Sequence, residues 1–184
     1  MATILITGAN RGIGLSLTQQ YIARGDTVIA VCRQSSPELE ATGARIEAGI
    51  DMTDEAAIAT LPTRLGETTL DVVILNAGIF TNETLNQLDE NAIAAIRRQF
   101  EVNTLGPLLV ANATQHHLNN GARIGIITSR MGSISDNGSG SYYGYRASKA
   151  AVNAIGKSLA NDLRPRDIAV FLLHPGFVAT EMTA

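Results

Sequence analysis

Short apolar runs alternate along the chain with segments whose apolar residues recur every three or four positions. The short runs predict strands at 3–7, 27–32, 45–50, 70–75, 123–128 and 168–173. The periodic segments predict helices at 13–24, from 51–54 onward with Thr53 as N-cap, at 91–118 with a bend at Gly106-Pro107, and at 143–163. Strands joined by helical crossovers form parallel sheets that are buried on both faces. The pattern therefore predicts an α/β fold, a doubly wound parallel sheet of about six strands in a single domain spanning residues 1–184.

The first predicted strand runs into a glycine-rich turn that opens the first predicted helix. Gly8, Gly12 and Gly14 let the backbone approach a phosphate, and the helix N-terminus adds free N–H donors and the positive end of its dipole. The spacing differs from G-x-G-x-x-G, so a turn that binds nothing is the alternative. Polar residues also stand at the ends of four predicted strands: Thr7, Asn76, Ser129 and His174. We therefore expect a ligand site at the carboxyl edge of the sheet.

A tyrosine and a lysine four residues apart open the last predicted helix. Tyr145 and Lys149 would share a helix face, where the ammonium lowers the pKa of the phenol and makes it a general acid/base. The motif is weak alone, and Tyr142 with Arg146 has the same spacing. Arginine cannot exchange a proton, so the chemistry favours Tyr145. Ser129, at the end of a predicted strand, is expected to hold a carbonyl oxygen beside the phenol.

Composition and charge narrow the classes of function. A net charge of −3 and a pI near 5.6 give no electrostatic reason to expect nucleic acid. The single Cys32 excludes an intrachain disulfide, and no cysteine or histidine spacing predicts a metal site. No apolar run is long enough to span a bilayer and no signal segment precedes the first strand, so a cytoplasmic protein is expected. Arg97 and Arg98 are interpreted as part of a solvated helix face.

Taken together, these motifs resemble the short-chain dehydrogenase/reductase (SDR) family. The matching segments are TGANRGIG at 7–14, Asp51, NAG at 76–78, Asn103, Ser129, Tyr145 with Lys149, and Pro175-Gly176 with Thr180. They run nearly from end to end in the family's order, which makes the set specific although no single member is. The resemblance is closest to the compact carbonyl-reductase-like and C-factor-like bacterial members, and it implies a Rossmann fold.

The resemblance also implies catalytic and cofactor-binding roles. Tyr145 would exchange a proton with the substrate, Lys149 would lower its pKa and hold the nicotinamide ribose, and Ser129 would position the substrate oxygen. Asn103 would distort its helix and help carry a proton relay to Lys149. The expected cofactor-binding residues are Gly8, Asn10, Arg11, Gly12, Ile13, Gly14, Arg33, Asp51, Met52, Asn76, Ala77, Gly78, Tyr145, Lys149, Pro175, Gly176, Val178 and Thr180.

Two features depart from the family pattern. The stretch from Ser129 to Tyr145 is a few residues longer than is common, which predicts an enlarged loop and leaves Ser133 and Ser135 as alternatives to Ser129. The chain stops at Ala184, where family members continue into a substrate-covering helix and a seventh strand. We therefore expect no seventh strand, and either an open substrate side or a fragment.

Cofactor choice is predicted from the end of the second strand. An acid there bonds the ribose hydroxyls of NAD, whereas basic residues receive the 2′-phosphate of NADP. The position holds Cys32, followed by Arg33, and Arg11 lies in the glycine turn. Guanidinium groups suit phosphate oxygens, so NADP(H) is expected over NAD(H). The resemblance places Asp51 near the adenine and Asn76 near its ribose.

Two classes of function fit these expectations. The first is an NADP(H)-dependent oxidoreductase that interconverts a small-molecule aldehyde or ketone with an alcohol, with Tyr145 as general acid/base. The second is a sensor or signalling protein that binds the nucleotide without turnover, which the short C-terminus favours. No nucleic-acid or membrane partner is expected. Small residues in the helices predicted at 91–118 and 143–163, together with the resemblance, imply a homodimer through these helices.

Overall fold

Six parallel strands form the central sheet of the computed structural model, which describes residues 1–179. The strands are β1 (Thr3–Thr7), β2 (Thr27–Val31), β3 (Arg45–Glu47), β4 (Leu70–Leu75), β5 (Leu118–Ile127) and β6 (Ala169–Leu173). Their order across the sheet is β3-β2-β1-β4-β5-β6, and each neighbouring pair is parallel. The predicted doubly wound sheet is confirmed. The chain reverses its direction of winding between β1 and β4, where such sheets open a crevice.

Helices cover both faces of this sheet. They are α1 (Gly12–Ala23), α2 (Pro37–Glu40), α3 (Glu55–Ala59), α4 (Leu61–Leu65), α5 (Glu90–Phe100), α6 (Gly106–Thr114) and α7 (Tyr143–Leu163). Short 3₁₀ turns occupy Leu85–Gln87, Gln115–His117, Arg130–Gly132 and Arg164–Arg166. Between residues 1 and 179, no helix combines the length and apolar character that crossing a membrane requires.

Successive side chains of a strand point to opposite faces of the sheet, and here both sets are apolar, which explains why helices cover both faces. In β1, Ile4 and Ile6 belong to the hydrophobic cluster packed by α1, while Leu5 belongs to the cluster packed by α6 and α7. All three side chains are fully buried. With apolar side chains required on both faces, polar groups that carry chemistry are confined to the strand ends and the loops that follow them.

Two strand boundaries differ from the prediction by more than one residue. The third strand ends at Glu47 rather than at 50, because Gly49 adopts a positive φ of 81° and turns the chain. The fifth strand begins at Leu118 rather than at 123. Its pairing with β4 shifts register between Leu70 and Val72, and this irregularity takes in Leu118, the last residue of a predicted helix, together with residues 119–122, which were predicted to be in no strand or helix.

The helix after Asp51 begins at Glu55, so the prediction of Thr53 as its N-cap is wrong. Asp54 is the N-cap, and its side chain accepts a hydrogen bond from the Ala57 N–H at 2.9 Å. Thr53 instead donates its N–H and its hydroxyl to Asp51 Oδ1, each at 2.9 Å. The N–H and hydroxyl groups of Thr53 are therefore already in use two residues before the helix starts.

The long helix predicted at 91–118 is divided by a π turn at Glu101–Leu105. α5 leads into this turn, and α6 leaves it at Gly106, where a Cβ would lie 2.9 Å from Met52 Cβ. The distortion thus precedes the Gly106-Pro107 pair that was expected to bend the helix. Pro107 is accommodated in the first turn of α6, where its missing N–H costs nothing.

Candidate active site

An open cavity of about 500 Å³ lies along the carboxyl ends of the strands. It begins at the glycine turn after β1 and reaches α7. Most of the expected cofactor-binding residues line it: Gly8, Asn10, Arg11, Gly12, Ile13, Arg33, Asp51, Met52, Asn76, Ala77, Gly78, Tyr145, Lys149, Pro175, Gly176 and Val178. Thr180 lies outside the described residues. The structure therefore gathers into one crevice residues that are widely separated in the sequence.

The glycine turn presents the N-terminus of α1 to the cavity. Gly8 and Gly12 adopt positive φ values of 65° and 53°, which glycine reaches without strain. α1 has no side-chain cap and no acidic residue in its first turn, so its first N–H groups suit an anion. Gly14 does not line the cavity. A Cβ there would lie 2.2 Å from the Gly8 carbonyl oxygen and 2.6 Å from Asn76 Nδ2, so Gly14 allows the turn to pack against the end of β4.

Thr7 and Asn76 hold the ends of β1 and β4 together below the cavity. The Thr7 hydroxyl accepts the N–H groups of Asn76 and Ala77 at 3.0 and 3.1 Å. Asn76 Nδ2 donates to the carbonyl oxygens of Thr7 and Gly8 at 3.0 and 3.2 Å. The Asn76 amide thus supports the glycine turn from below.

The phenol of Tyr145 lies half-buried where α7 borders the cavity. Ser129 is the side chain whose hydrogen-bonding interaction lowers the pKa of this phenol. The ring of Phe80 packs edge-on against it, with 4.9 Å between the ring centroids. Ser133 and Ser135, the alternatives to Ser129, contact each other at 3.3 Å. The structure therefore joins Ser129, rather than either loop serine, to the phenol.

Lys149 is nearly buried, and its Nζ lies 5.7 Å from the centroid of the Tyr145 ring. Nζ donates to the carbonyl oxygen of Ile127 at 2.8 Å. Burial lowers the pKa of Lys149 to about 8. Burial also raises the pKa of Tyr145, against the hydrogen bond with Ser129, which lowers it. The pKa of this phenol is therefore raised rather than lowered as expected, because the loss of water around the phenol outweighs the effect of Ser129.

Asn103 lies in the π turn and is 1% exposed. Its Oδ1 accepts the Ile79 N–H at 2.8 Å, and its Nδ2 donates to the Ile79 carbonyl oxygen at 2.9 Å. A Cβ on Gly78 would lie 3.3 Å from Asn103 Oδ1 and 3.7 Å from Lys149 Nζ, so the two groups flank the same glycine. The helix distortion expected at Asn103 is observed, and its proton relay stays a prediction.

At the opposite end of the cavity, two arginines meet one carboxylate. Asp51 Oδ2 lies 3.5 Å from Arg33 Nη1 and 3.8 Å from Arg98 Nη2. The Thr53 N–H, and to a smaller extent the two guanidinium groups, hold the pKa of the Asp51 carboxyl below its usual value. Cys32, at the position of the expected acid, is buried, and burial raises the pKa of its thiol. Arg97 and Arg98 are both exposed, as expected of a solvated helix face, and α5 in addition places Arg98 beside Asp51 at the edge of the cavity.

Sequence reasoning missed part of the lining, and only Asn76 of the four polar residues expected at strand ends lines the cavity. The missed residues are Gln34, Ile50, Ile79, Arg98, Val102, Ile127 and Thr128. Several of them adjoin a predicted residue along the chain, as Ile50 adjoins Asp51, and that adjacency was the available signal. His174 directly follows β6 at the expected edge of the sheet and is exposed; like Thr7 and Ser129, it does not line the cavity.

Comparisons with known proteins identify the family. The family model described as short chain dehydrogenase matches residues 2–184. The chain is 44% identical to 1-hydroxy-2-glutathionyl-2-methyl-3-butene dehydrogenase of Rhodococcus sp. (strain AD45) over 185 residues, 100% of this chain and 80% of that protein. It is 44% identical to C-signal of Myxococcus xanthus over 115 residues, 61% of this chain and 68% of that protein.

A solved structure agrees with these sequence similarities. A carbonyl reductase from Pseudomonas aeruginosa PAO1 in complex with NADP superposes with a TM-score of 0.83 at 33% identity, over 97% of this chain and 84% of that one. The fold, the glycine turn and the full-length family match agree with one another. The chain belongs to the short-chain dehydrogenase family and is an oxidoreductase.

Proposed function

We propose that the protein is an NADP(H)-dependent oxidoreductase that interconverts an aldehyde or ketone with the corresponding alcohol, with Tyr145 as general acid/base. One observation carries this proposal. A single cavity joins the phenol of Tyr145, whose pKa responds to Ser129, with a glycine turn and a pair of arginines. The similarity to a carbonyl reductase solved with NADP supports the same class of reaction.

The lining residues fit a phosphorylated dinucleotide. Gly8 and Gly12 adopt positive φ values and carry no side chains, so a pyrophosphate could approach the main chain there. The uncapped N-terminus of α1 would hold this pyrophosphate. Arg33 and Arg98 supply positive charge for a 2′-phosphate, while Lys149 would hold the nicotinamide ribose. When bound, the cofactor supplies or accepts the hydride.

The chain's own residues would manage the proton. The Tyr145 O–H would donate to the carbonyl oxygen, which the Ser129 hydroxyl would hold in place. Burial raises the pKa of Tyr145, which keeps the phenol protonated at neutral pH and suits it to proton donation, the reductive direction. Lys149, with a pKa of about 8, remains mainly charged at neutral pH and would stabilise the phenolate after donation.

Turnover assays test this proposal. Oxidation of NADPH would be followed with a panel of aldehydes and ketones, and reduction of NADP⁺ with the matching alcohols. We expect turnover by the native protein and its loss in Tyr145→Phe. A native protein that binds NADPH but converts no member of the panel in either direction would overturn the proposal.

The similarity to C-signal favours a second candidate, a nucleotide-binding signalling protein without turnover. This candidate and the enzyme share the glycine turn and differ in whether the bound nucleotide is oxidised or reduced. Calorimetric titration with NADPH, run beside the turnover assays, separates them. Tight binding without conversion supports the second candidate, and conversion supports the first.

We also propose that the protein forms a homodimer through α5 and α7. Both helices carry small residues that permit close approach: Ala92, Ala94, Ala95, Ala150, Ala151 and Ala154. Gly156, also a small residue of α7, is buried against Leu172 and Ile126 of the sheet. Exposed apolar side chains lie on the same helices, with Ile93 37% and Tyr143 42% exposed. Two-fold contacts are the commonest symmetry among oligomers. Light scattering at working concentration should show a dimer, and a monomer would contradict this proposal.

A further inference from the structure

Glu83, in the loop between β4 and α5, is 3% exposed. Burial of a carboxylate is costly unless its oxygens are hydrogen-bonded. Glu83 Oε1 accepts from Gln99 Nε2 at 2.7 Å and from the Thr81 hydroxyl. Oε2 accepts the Gly144 N–H, in the first turn of α7, at 3.0 Å. This carboxylate therefore links the loop, α5 and the start of the helix that carries Tyr145.

Gln99 fixes the orientation of this carboxylate. Its side chain is fully buried, and its Oε1 accepts the Thr81 N–H at 3.2 Å. A Cβ on Gly144 would lie 2.3 Å from Gln99 Nε2, so the start of α7 packs directly against the amide. Gln99 precedes Asn103 by four positions, and Asn103 binds Ile79 at both main-chain groups. Two buried amides on neighbouring turns thus hold the loop, Asn103 at Ile79 and Gln99 at Thr81 and Glu83.

The main chain of Glu83 contacts the residues that lead into α7. Its carbonyl oxygen accepts the Tyr142 N–H at 2.9 Å. Ser141 and Tyr142 both adopt left-handed backbone angles, with φ of 56° and 55°, which non-glycine residues hold only when the surroundings enforce them. Glu83 thus holds the turn before α7 through its main chain and the first turn of α7 through its side chain.

The loop held by Glu83 also touches the reactive phenol. The Phe80 ring lies 5.5 Å from the Tyr142 ring in a stacked arrangement and 4.9 Å from the Tyr145 ring edge-on. Movement of the loop would therefore move both the aromatic contact of Tyr145 and the turn that starts its helix.

We propose that Glu83 is a positioning residue for Tyr145: its carboxylate, oriented by Gln99, fixes the first turn of α7 and thereby the direction of the phenol. The proposal rests on the proposed function in so far as Tyr145 is the proton donor. Glu83 does not line the cavity, so its effect is transmitted through Gly144 and Phe80 rather than through contact with substrate.

The number of donors and acceptors explains why a carboxylate is needed. Glu83→Gln keeps the size of the side chain but replaces one acceptor oxygen by a donor. That donor must face either the Gly144 N–H or the Gln99 amide. If Gln99 turns over to accept it, the Gln99 amide group then faces the Thr81 N–H. Each arrangement leaves two donors opposed in a buried site, which pushes the loop away from α7.

The exchange Glu83→Gln/Gln99→Glu restores the pairing. The new amide at position 83 donates to the new carboxylate at position 99, which still accepts the Thr81 N–H. The amide oxygen accepts the Gly144 N–H, and only the Thr81 hydroxyl must find another acceptor. The exchange therefore separates a specific hydrogen-bond role from a general need for a buried side chain.

The test compares the native protein with Glu83→Gln, the exchange and Glu90→Gln. Glu90 is an exposed carboxylate in the first turn of α5 and serves as the matched control. We expect kcat of Glu83→Gln to fall by about 10- to 100-fold, the scale of an ångström misplacement of reacting groups. NADPH affinity should be unchanged, the exchange should recover most of kcat, and Glu90→Gln should behave as native.

Hydrogen exchange at residues 143–146 supplies a readout that does not need turnover. Glu83→Gln should speed hydrogen exchange at these residues, and the double variant Glu83→Gln/Gln99→Glu should slow it again. An unchanged kcat in Glu83→Gln would overturn the proposal. So would equal losses of kcat and NADPH affinity that the double variant does not recover. If the native protein shows no turnover, the proposed function fails, and unchanged hydrogen exchange in Glu83→Gln would still reject the role of Glu83.

Discussion

The two ends of the cavity are built in opposite ways. At the end formed by Arg33, Asp51 and Arg98, the two arginine side chains are 66% and 48% exposed and meet the carboxylate at 3.5 and 3.8 Å. At the other end, Lys149 and Asn103 are 4% and 1% exposed and are fixed by hydrogen bonds. Exposed charges are screened by salt, whereas buried groups depend on every partner. The first end should therefore respond gradually to substitution, and the second abruptly.

The largest effect is expected at the buried end. Tyr145→Phe keeps the ring but removes the transferable proton, so kcat should fall by about 10²–10⁴-fold, the usual contribution of general acid/base catalysis. NADPH binding should survive, as measured by calorimetric titration. Tyr142→Phe is the matched control, because Tyr142 packs on the same Phe80 ring. Near-normal turnover in Tyr145→Phe beside an inactive Tyr142→Phe would move the proton donor to Tyr142.

A smaller effect is expected at the exposed end. Arg33→Ala should weaken NADPH binding by about 1.5–3 kcal/mol, the scale of a hydrogen bond to a charged group, and should affect NADH much less. Raising the ionic strength should shrink the difference between the two cofactors. Competition between NADPH and NADH, measured by their KM values, checks both statements. Equal KM and kcat for the two cofactors in the native protein would refute the predicted preference.

The pH dependence of the free energy of unfolding tests the burial of Lys149 at the second end of the cavity. Burial lowers the pKa of Lys149 to about 8, so above that pH the folded chain releases a proton that the unfolded chain still holds. The unfolded state then binds more protons, and the free energy of unfolding rises with pH. Tyr145, whose pKa is raised, opposes this only at higher pH, where an ordinary tyrosine titrates.

Urea unfolding without cofactor measures this effect. Between about pH 8 and 9.5 the Lys149 contribution should amount to as much as about 2 kcal/mol, from 1.36 kcal/mol per unit of pKa difference. Lys149→Met should lose this rise, and Lys157→Met, at an exposed position of the same helix, should keep it. Equal slopes in both variants would mean that Lys149 is not desolvated in solution.

The smallest effect is expected at Arg98. Arg98 reaches the cavity from α5 and lies farther from Asp51 than Arg33 does, so Arg98→Ala should weaken NADPH binding by about 0.2–1 kcal/mol, the scale of an exposed ion pair. Arg97→Ala provides the matched control, since Arg97 is the neighbouring arginine and does not line the cavity. Titration with 2′,5′-ADP and 5′-AMP isolates the adenosine end. Equal losses in the two variants would remove Arg98 from the site.

The sequence predicted the boundaries of those elements that are set by neighbouring residues along the chain. The boundaries of β1, β4 and α7 were predicted correctly because apolar runs end at polar or glycine residues and Arg164-Pro165 follows the helix. The lining role of Arg98 depends on the rotation of α5 over the sheet, which no single stretch of sequence encodes. The pKa of Tyr145 was predicted in the wrong direction because burial at the site could not be weighed against the charge of Lys149.

The hydrogen bonds between Thr7 and Asn76 tie the glycine turn to a strand end that lies 69 positions later in the chain. A contact of this kind forms only after the long intervening segment has been closed, so the turn gains its support late in folding. A segment that contains only β1 and β2 includes the glycine turn but lacks Asn76, which supports the turn in the folded chain. Binding of the proposed nucleotide at this turn would therefore require that β1 and β4 are already paired. A nucleotide that binds only the native chain raises Tm as its concentration increases.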